Sequence, residues 1–158
     1  MLTVNIVAVG KIKEKFFTDA VNEYAKRLSR FCKLNIIEVK DEPQGANDSE
    51  NSAVLDKEGS AILAKIPDNS YMFALCVEGA QYSGEELASA ISKLQVGGIS
   101  SITFVIGGSL GLADKVKSSA NIRLSFSKMT FPHQLMRVIL TEQIYRAFKI
   151  LNNEPYHK

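Results

Sequence analysis

The sequence predicts an α/β fold, a mostly parallel sheet with helices on both faces. Three observations carry that expectation. Short β-branched runs alternate along the chain with stretches of helical apolar spacing, the pattern of parallel βαβ units. The runs Thr3–Val9 and Ser101–Ile106 are apolar almost throughout, as strands covered on both faces are. Glycines follow both runs, at Gly10 and at Gly107, where parallel sheets form ligand-binding crevices.

The elements follow in order. Thr3–Val9 reads as a buried strand that ends at Gly10. Phe16, Phe17, Ala20, Val21, Tyr24, Leu28 and Phe31 recur at helical spacing, which predicts a helix over 14–31. A second strand is expected over 34–39. The polar stretch 41–51, with Pro43 and Gly45, reads as a loop, and a helix over 52–65 closes at Pro67. A third strand over 71–77 is expected to turn at Glu78-Gly79. Ser83 followed by Glu86 is a capping box, opening a helix that runs to about Leu94 and stops at Gly97-Gly98. After the strand Ser101–Ile106 come a short helix from Asp114, a short strand over 122–126 and a last helix from about Pro132 to Leu151. The apolar residues of that last helix cover far more than the roughly 100° arc a surface helix needs. A homodimer in which its second face meets another copy is the expectation.

The 158 residues suit one domain, taken as 1–158. With 46% hydrophobic and 23% charged residues the chain has globular composition, which excludes disordered and low-complexity classes. No apolar run approaches the roughly 18 residues of a membrane helix. The N-terminus has no basic segment of a secretory leader, so a cytoplasmic location is the default. Cys32 and Cys76 have no metal-ligand spacing and only two histidines to share an ion with, so neither a disulfide nor a metal is expected. Net charge is +2 but unevenly placed. Residues 11–33 carry seven basic and three acidic side chains, and 115–158 carry eight and two. A basic face built from both ends of the chain would suit RNA; ordinary solvated helix surface is the other reading.

Three segments could carry chemistry. Gly107-Gly108-Ser109-Leu110-Gly111 lies after a strand, where small residues let a ligand approach backbone N–H groups. It is neither a dinucleotide fingerprint nor a phosphate-binding Walker loop. It does match GxSxG, the elbow of a serine hydrolase with Ser109 as nucleophile, and it also reads as a plain tight turn. The segment 124–133 joins a strand to a helix through several backbone and hydroxyl groups. The tail Glu154-Pro155-Tyr156-His157-Lys158 offers a stackable ring, a group titrating near neutral pH and a cation. A non-catalytic RNA-binding module would use the same basic and aromatic groups.

The joint pattern is far more specific than any of its parts. It comprises Val7-Ala8-Val9-Gly10-Lys11, Asp56-Lys57-Glu58-Gly59, and Phe104-Val105-Ile106-Gly107-Gly108 with Gly111. Leu124-Ser125, Met129-Thr130-Phe131-Pro132-His133, Arg137-Val138, Tyr145-Arg146-Ala147 and Pro155-Tyr156-His157-Lys158 follow. In this order and spacing, over its full length, the chain resembles the bacterial large-subunit ribosomal RNA pseudouridine methyltransferase H family. That family belongs to the SPOUT class, which uses S-adenosyl-L-methionine. The resemblance implies a C-terminal trefoil knot over about 71–158, a homodimer, and N3 methylation of a pseudouridine in 23S rRNA of the assembled ribosome. It also implies that Leu75 flanks the adenine of the cofactor and that Gly107 lets backbone approach it. Phe126, Ser127, Lys128, Met129, Thr130 and Phe131 would wrap it. The terminal Lys158 stands where some members have arginine, which keeps the charge but loses the bidentate fork.

The reaction so implied needs an acceptor nitrogen in line with the donor and one proton handled. The N3–H of pseudouridine is weakly acidic, so a group that stabilises the developing anion helps. Arg146, Tyr156 and His157 are the candidate catalytic residues, Arg146 for a phosphate or base carbonyl, Tyr156 or His157 for placing the base or taking the proton. A patch from Lys11, Lys13, Lys15 and Arg30 with Arg123, Lys128, Arg137 and Lys149 is expected to track RNA.

Overall fold

The computed structural model describes residues 1–156. Its elements are β1 (Thr3–Val9), α1 (Lys15–Leu28), β2 (Lys33–Val39), α2 (Asp48–Lys65) and β3 (Tyr71–Gln81). These are followed by α3 (Gly84–Val96), β4 (Ser101–Ile106), α4 (Asp114–Ser119), β5 (Ile122–Ser125) and α5 (His133–Leu151). The strands form one sheet in the order β2-β1-β4-β3-β5, and every pairing is parallel. This is the α/β architecture the alternating pattern predicts.

Strand alternation decides which helices lie where. On one face Val4, Ile6, Ala8, Phe73, Ile102, Phe104 and Leu124 meet Leu28 of α1, Leu87 and Ile91 of α3, and Leu140, Ile144 and Phe148 of α5. The rings of Phe73 and Phe104 stack there with centroids 4.9 Å apart. On the other face Val7, Val9, Met72, Ala74 and Val105 meet Ile62 of α2 and Val116 of α4. Polar groups inside the sheet are paired, as burial requires. Asn5 donates to the hydroxyls of Ser101 and Thr103 and accepts from Asn35 at 2.9 Å.

Several boundaries differ from the sequence expectation. α2 starts at Asp48 rather than 52, because the Asn47 side chain accepts from the Glu50 N–H at 2.9 Å and caps the helix inside the expected loop. α1 ends at Leu28, before 31. β3 does not end at Glu78-Gly79. Leu75 and Ala80 both face Leu124 of β5, so residues 76–79 bulge out of the ladder and the strand resumes. At Gly79 the backbone of β5 passes so close that a Cβ would stand 2.7 Å from the Arg123 carbonyl. A side chain there would push the two strands apart.

Candidate active site

Three segments meet at the carboxyl ends of β4 and β5 and at the bulge inside β3, on the side where an open parallel sheet places its ligands. The first is the glycine turn after β4. Gly111 adopts a left-handed φ of 82° and its N–H donates to the Gly108 carbonyl at 3.0 Å. A Cβ on Gly107 would collide with the Gly111 carbonyl, so this turn closes only around glycine. A Cβ on Gly108 would stand 3.0 Å from the Val9 side chain, so the turn rests on the end of β1. The second is the bulge of β3, which with the preceding Leu75 gives Leu75 to Glu78 to the cavity. The third is the segment from Leu124 to Phe131, and His133 and Met136 of α5 close the wall.

Together they enclose a cavity of about 330 Å³. Its floor is apolar, with Leu75, Ile106, Leu124, Phe126 and Phe131. Its rim carries an ion pair, the Lys117 ammonium donating to the Glu78 carboxylate. That hydrogen bond holds the Glu78 carboxyl below the ordinary carboxylate range. In the third loop, the Met129 N–H donates to the Ser127 hydroxyl and the Ser125 hydroxyl to the Ser127 carbonyl. The N–H groups of Ser127, Lys128, Thr130 and Phe131 donate to nothing among the described residues. Unused backbone donors beside an apolar floor suit a ligand with a flat apolar ring and polar substituents.

Of the residues implied for the cofactor, Leu75, Gly107, Phe126, Ser127, Met129, Thr130 and Phe131 line this cavity. Lys128 belongs to the same loop but is exposed and points off the lining. Glu78 and Lys117 were not anticipated. They lie 39 residues apart, and no local pattern joins the bulge of β3 to α4.

Arg146 and Tyr156 converge, but elsewhere. Arg146 donates through Nε and Nη2 to the Glu142 carboxylate, and the Tyr156 hydroxyl donates to the same group at 2.9 Å. The guanidinium lies 4.9 Å from the Tyr156 ring centroid, and that ring meets Tyr145 edge-on. Burial, then the bond to Glu142, pushes the Tyr156 phenol far above its ordinary value. Tyr156 in this setting is a donor and not a proton acceptor. Arg146 follows Met136, at the cavity wall, by ten residues of α5, about 15 Å at the helical rise of 1.5 Å per residue. His157 and Lys158 lie outside the described residues.

The basic patch survives only in part. Lys11, Lys13, Arg123 and Lys128 are exposed. Arg137 is 2% exposed and bonded inside the fold, so it is no surface contact. Arg30 and Lys149 share the carboxylate of Glu154, and Lys15 pairs with Asp19. Ser109 is exposed and its hydroxyl makes no hydrogen bond among the described residues, whereas a hydrolase nucleophile needs a base in reach. Both cysteines are free. Among the described residues no group of three or more His, Cys, Asp or Glu could hold a metal, and no helix is long and apolar enough to cross a membrane.

The chain aligns with ribosomal RNA large subunit methyltransferase H of Clostridium acetobutylicum at 55% identity, over 99% of this chain and 100% of that one. The protein of the same name from Clostridium botulinum strain Langeland is 56% identical over the same shares. A solved structure, titled as a "probable methylase family protein" from Haemophilus influenzae Rd KW20, superposes with a TM-score of 0.55. It shares 13% identity over 98% of this chain and 70% of its own, which is a likeness of fold. The family profile described as "Predicted SPOUT methyltransferase" matches residues 2–157. With a cavity of backbone donors at the strand ends and a family match over nearly its whole length, the chain belongs to the SPOUT methyltransferases and is a methyltransferase that works with a methyl donor.

Proposed function

We propose that this protein transfers a methyl group from S-adenosyl-L-methionine to N3 of a pseudouridine in 23S rRNA of the assembled ribosome. The observation that carries the reading is the loop from Ser127 to Phe131, whose free N–H groups border an apolar cavity in a chain of this family. The apolar floor around Leu75 suits an adenine ring, and Gly107 and the third loop offer backbone to the polar substituents. The sulfonium of the donor supplies the electrophilic methyl group ready-made. The protein has then to place the acceptor nitrogen, keep water out and stabilise charge as the N3 proton leaves. Nε and Nη2 of Arg146 are held by Glu142, which leaves Nη1 to donate to a base carbonyl or a phosphate. Tyr156 donates its hydroxyl and positions. His157 follows in the sequence, an imidazole of the type that ordinarily titrates near neutral pH, and in this reading it receives the proton.

The working form is a homodimer. Leu135, Val138 and Ile139 form a half-buried apolar face of α5. A groove of about 270 Å³ between Tyr82, Leu87, Phe126, Phe131 and Ile139 continues it. A second copy seated on this face brings its Arg146 cluster to the cavity, which the roughly 15 Å separation along α5 denies within one chain. A trefoil knot over about 71–158, a single domain over 1–158 and a cytoplasmic site of action belong to the same reading.

The test is transfer of labelled methyl from S-adenosyl-L-methionine to ribosomes lacking the modification, with naked large-subunit RNA in parallel. Label at N3 of a pseudouridine in the ribosomes alone is the expected result. No label in either sample, with no binding of the donor, would overturn the reading.

A further inference from the structure

The first turn of α5 is a wall shared by two features. His133 and Met136 line the cavity. Gln134 and Arg137, each one residue further on, reach the loop between β1 and α1 instead. The Gln134 Oε1 accepts from the Lys13 N–H at 2.9 Å. Arg137 Nη2 donates to the carbonyls of Val9 and Gly10, and Nη1 donates to the Glu38 carboxylate of β2. The loop is therefore fastened near both ends to the helix that carries the cavity wall. Gly10 has a φ of 85°, which bends the chain there, and Val9 packs against Gly108 of the glycine turn. Lys11 and Lys13 stand exposed on this fastened loop and make no ion pair among the described residues.

Packing alone does not call for a guanidinium at position 137. Arg137 is 2% exposed, and its Nε has no hydrogen-bond partner. Burying a charge costs free energy, and an apolar side chain of similar volume often serves as well or better for stability. What the planar fork adds is geometry. It ties α5 to two carbonyls at the end of β1 and to a carboxylate on β2 at once. An apolar side chain would fill the space and leave that register loose.

We infer that Arg137 and Gln134 are positioning residues, holding Lys11 and Lys13 as a phosphate grip at a fixed offset from the methyl-donor cavity. The inference rests on the reading of this protein as an RNA methyltransferase. RNA gripped at the two lysines lies at a set distance from the donor, so the clamp turns a non-specific charge contact into a placement. Its energetic signature is coupling. Removing the fastening makes the lysines less useful, and removing the lysines makes the fastening less useful.

The experiment measures binding of the full chain to ribosomes lacking the modification, with binding of labelled S-adenosyl-L-methionine measured separately. Lys11→Ala with Lys13→Ala is expected to weaken ribosome binding about tenfold and to flatten the salt dependence by roughly 1.5 in log–log slope, as loss of two phosphate contacts does. Gln134→Ala is expected to give part of that loss while donor affinity stays within about twofold. Added to the lysine pair, it should cost nothing further. Arg137→Met should behave like Gln134→Ala, more strongly. If it does not fold, the Gln134→Ala cycle decides alone. Full additivity of Gln134→Ala and the lysine pair, wild-type ribosome binding by the lysine variant, or no ribosome binding by the wild type would each overturn the inference. Failure of the wild type to bind the donor would instead strike the methyltransferase reading, and the ribosome-binding cycle would still report on the clamp.

Discussion

Tyr156 keeps its phenolic proton well past neutral pH because burial disfavours the phenolate and Glu142 needs the hydrogen bond. Cys32 behaves alike, its thiol pushed by burial from an ordinary 9.0 to about 11. Both are acids whose pKa in the fold is raised, so the fold retains a proton that the unfolded chain releases. Their contribution to stability is complete below the unfolded pKa values and is lost as pH rises through the folded ones. Urea midpoints compared at pH 8 and pH 10.5 are therefore expected to fall for the wild type. Cys32→Ala should show a smaller fall across that window, because its thiol is the first of the two to separate the states. Tyr156→Phe should reduce the alkaline loss further up the scale while leaving the ring against Tyr145 and Arg146. In the proposed methyl transfer, Tyr156→Phe is expected to lower kcat about tenfold, because the Glu142 carboxylate that orients Arg146 then loses the phenol that holds it, while donor affinity, set by the loops after β4 and β5, stays unchanged. Wild-type kcat in that variant would remove Tyr156 from substrate handling.

The bulge of β3 shows what an element owes to its neighbours. Residues 76–79 leave the ladder between Leu75 and Ala80, and this excursion puts Glu78 beside Lys117 at the cavity rim. Gly79 permits it, lying where a Cβ would stand 2.7 Å from the Arg123 carbonyl. Gly79→Ala is expected to destabilise the fold by about 1–3 kcal/mol, the range for overpacking against backbone, and to weaken donor binding, read by calorimetric titration. Stability and donor affinity both at wild-type level would show that β5 yields easily. The sequence reads Glu78-Gly79 as the end of a strand because Glu and Gly are poor strand residues locally; pairing with β5 overrides that. Elements with a local cause were legible. Ser83 and Glu86 form the capping box where the spacing places it, and Thr3–Val9 and Ser101–Ile106 are strands from end to end. The start of α2 was not, because Asn47 caps a helix inside a stretch whose Pro43 and Gly45 announce a loop. The candidate site divides in the same way. The glycine turn and the segment 126–131 stand out in the chain as written. Arg137 looks like a surface cation on charge alone, and only its contacts with Val9, Gly10 and Glu38 place it inside.

On the proposed reading, the molecule as a whole separates two halves of one chemistry along α5. The cavity stands at the start of the helix, and Arg146 with Glu142 and Tyr156 near its end, about 15 Å on. A methyl transfer needs donor and acceptor within bonding reach, and about 15 Å of helix separates the proposed donor cavity from Arg146 within one chain. Two chains related by a twofold axis can unite them, if each supplies a cavity to the other's Arg146. Mixing two inactive variants tests this. Gly107→Ala drives a Cβ into the Gly111 carbonyl, keeps the glycine turn from closing and should abolish donor binding. Arg146→Ala leaves the cavity intact and should bind donor but not transfer. After subunit exchange in an equal mixture, about half the dimers are mixed. Each mixed dimer pairs one intact cavity with one intact Arg146 across the interface, while its other site lacks both. Methyl transfer is then expected to return to about a quarter of the wild-type level, from no detectable activity in either parent. Were cavity and Arg146 to act within a single chain, every chain in the mixture would still lack one of them and no activity would return. Recovery therefore reports on the shared site directly, and Ile139→Glu, which places a charge on the apolar face of α5, should prevent it by keeping the chains apart.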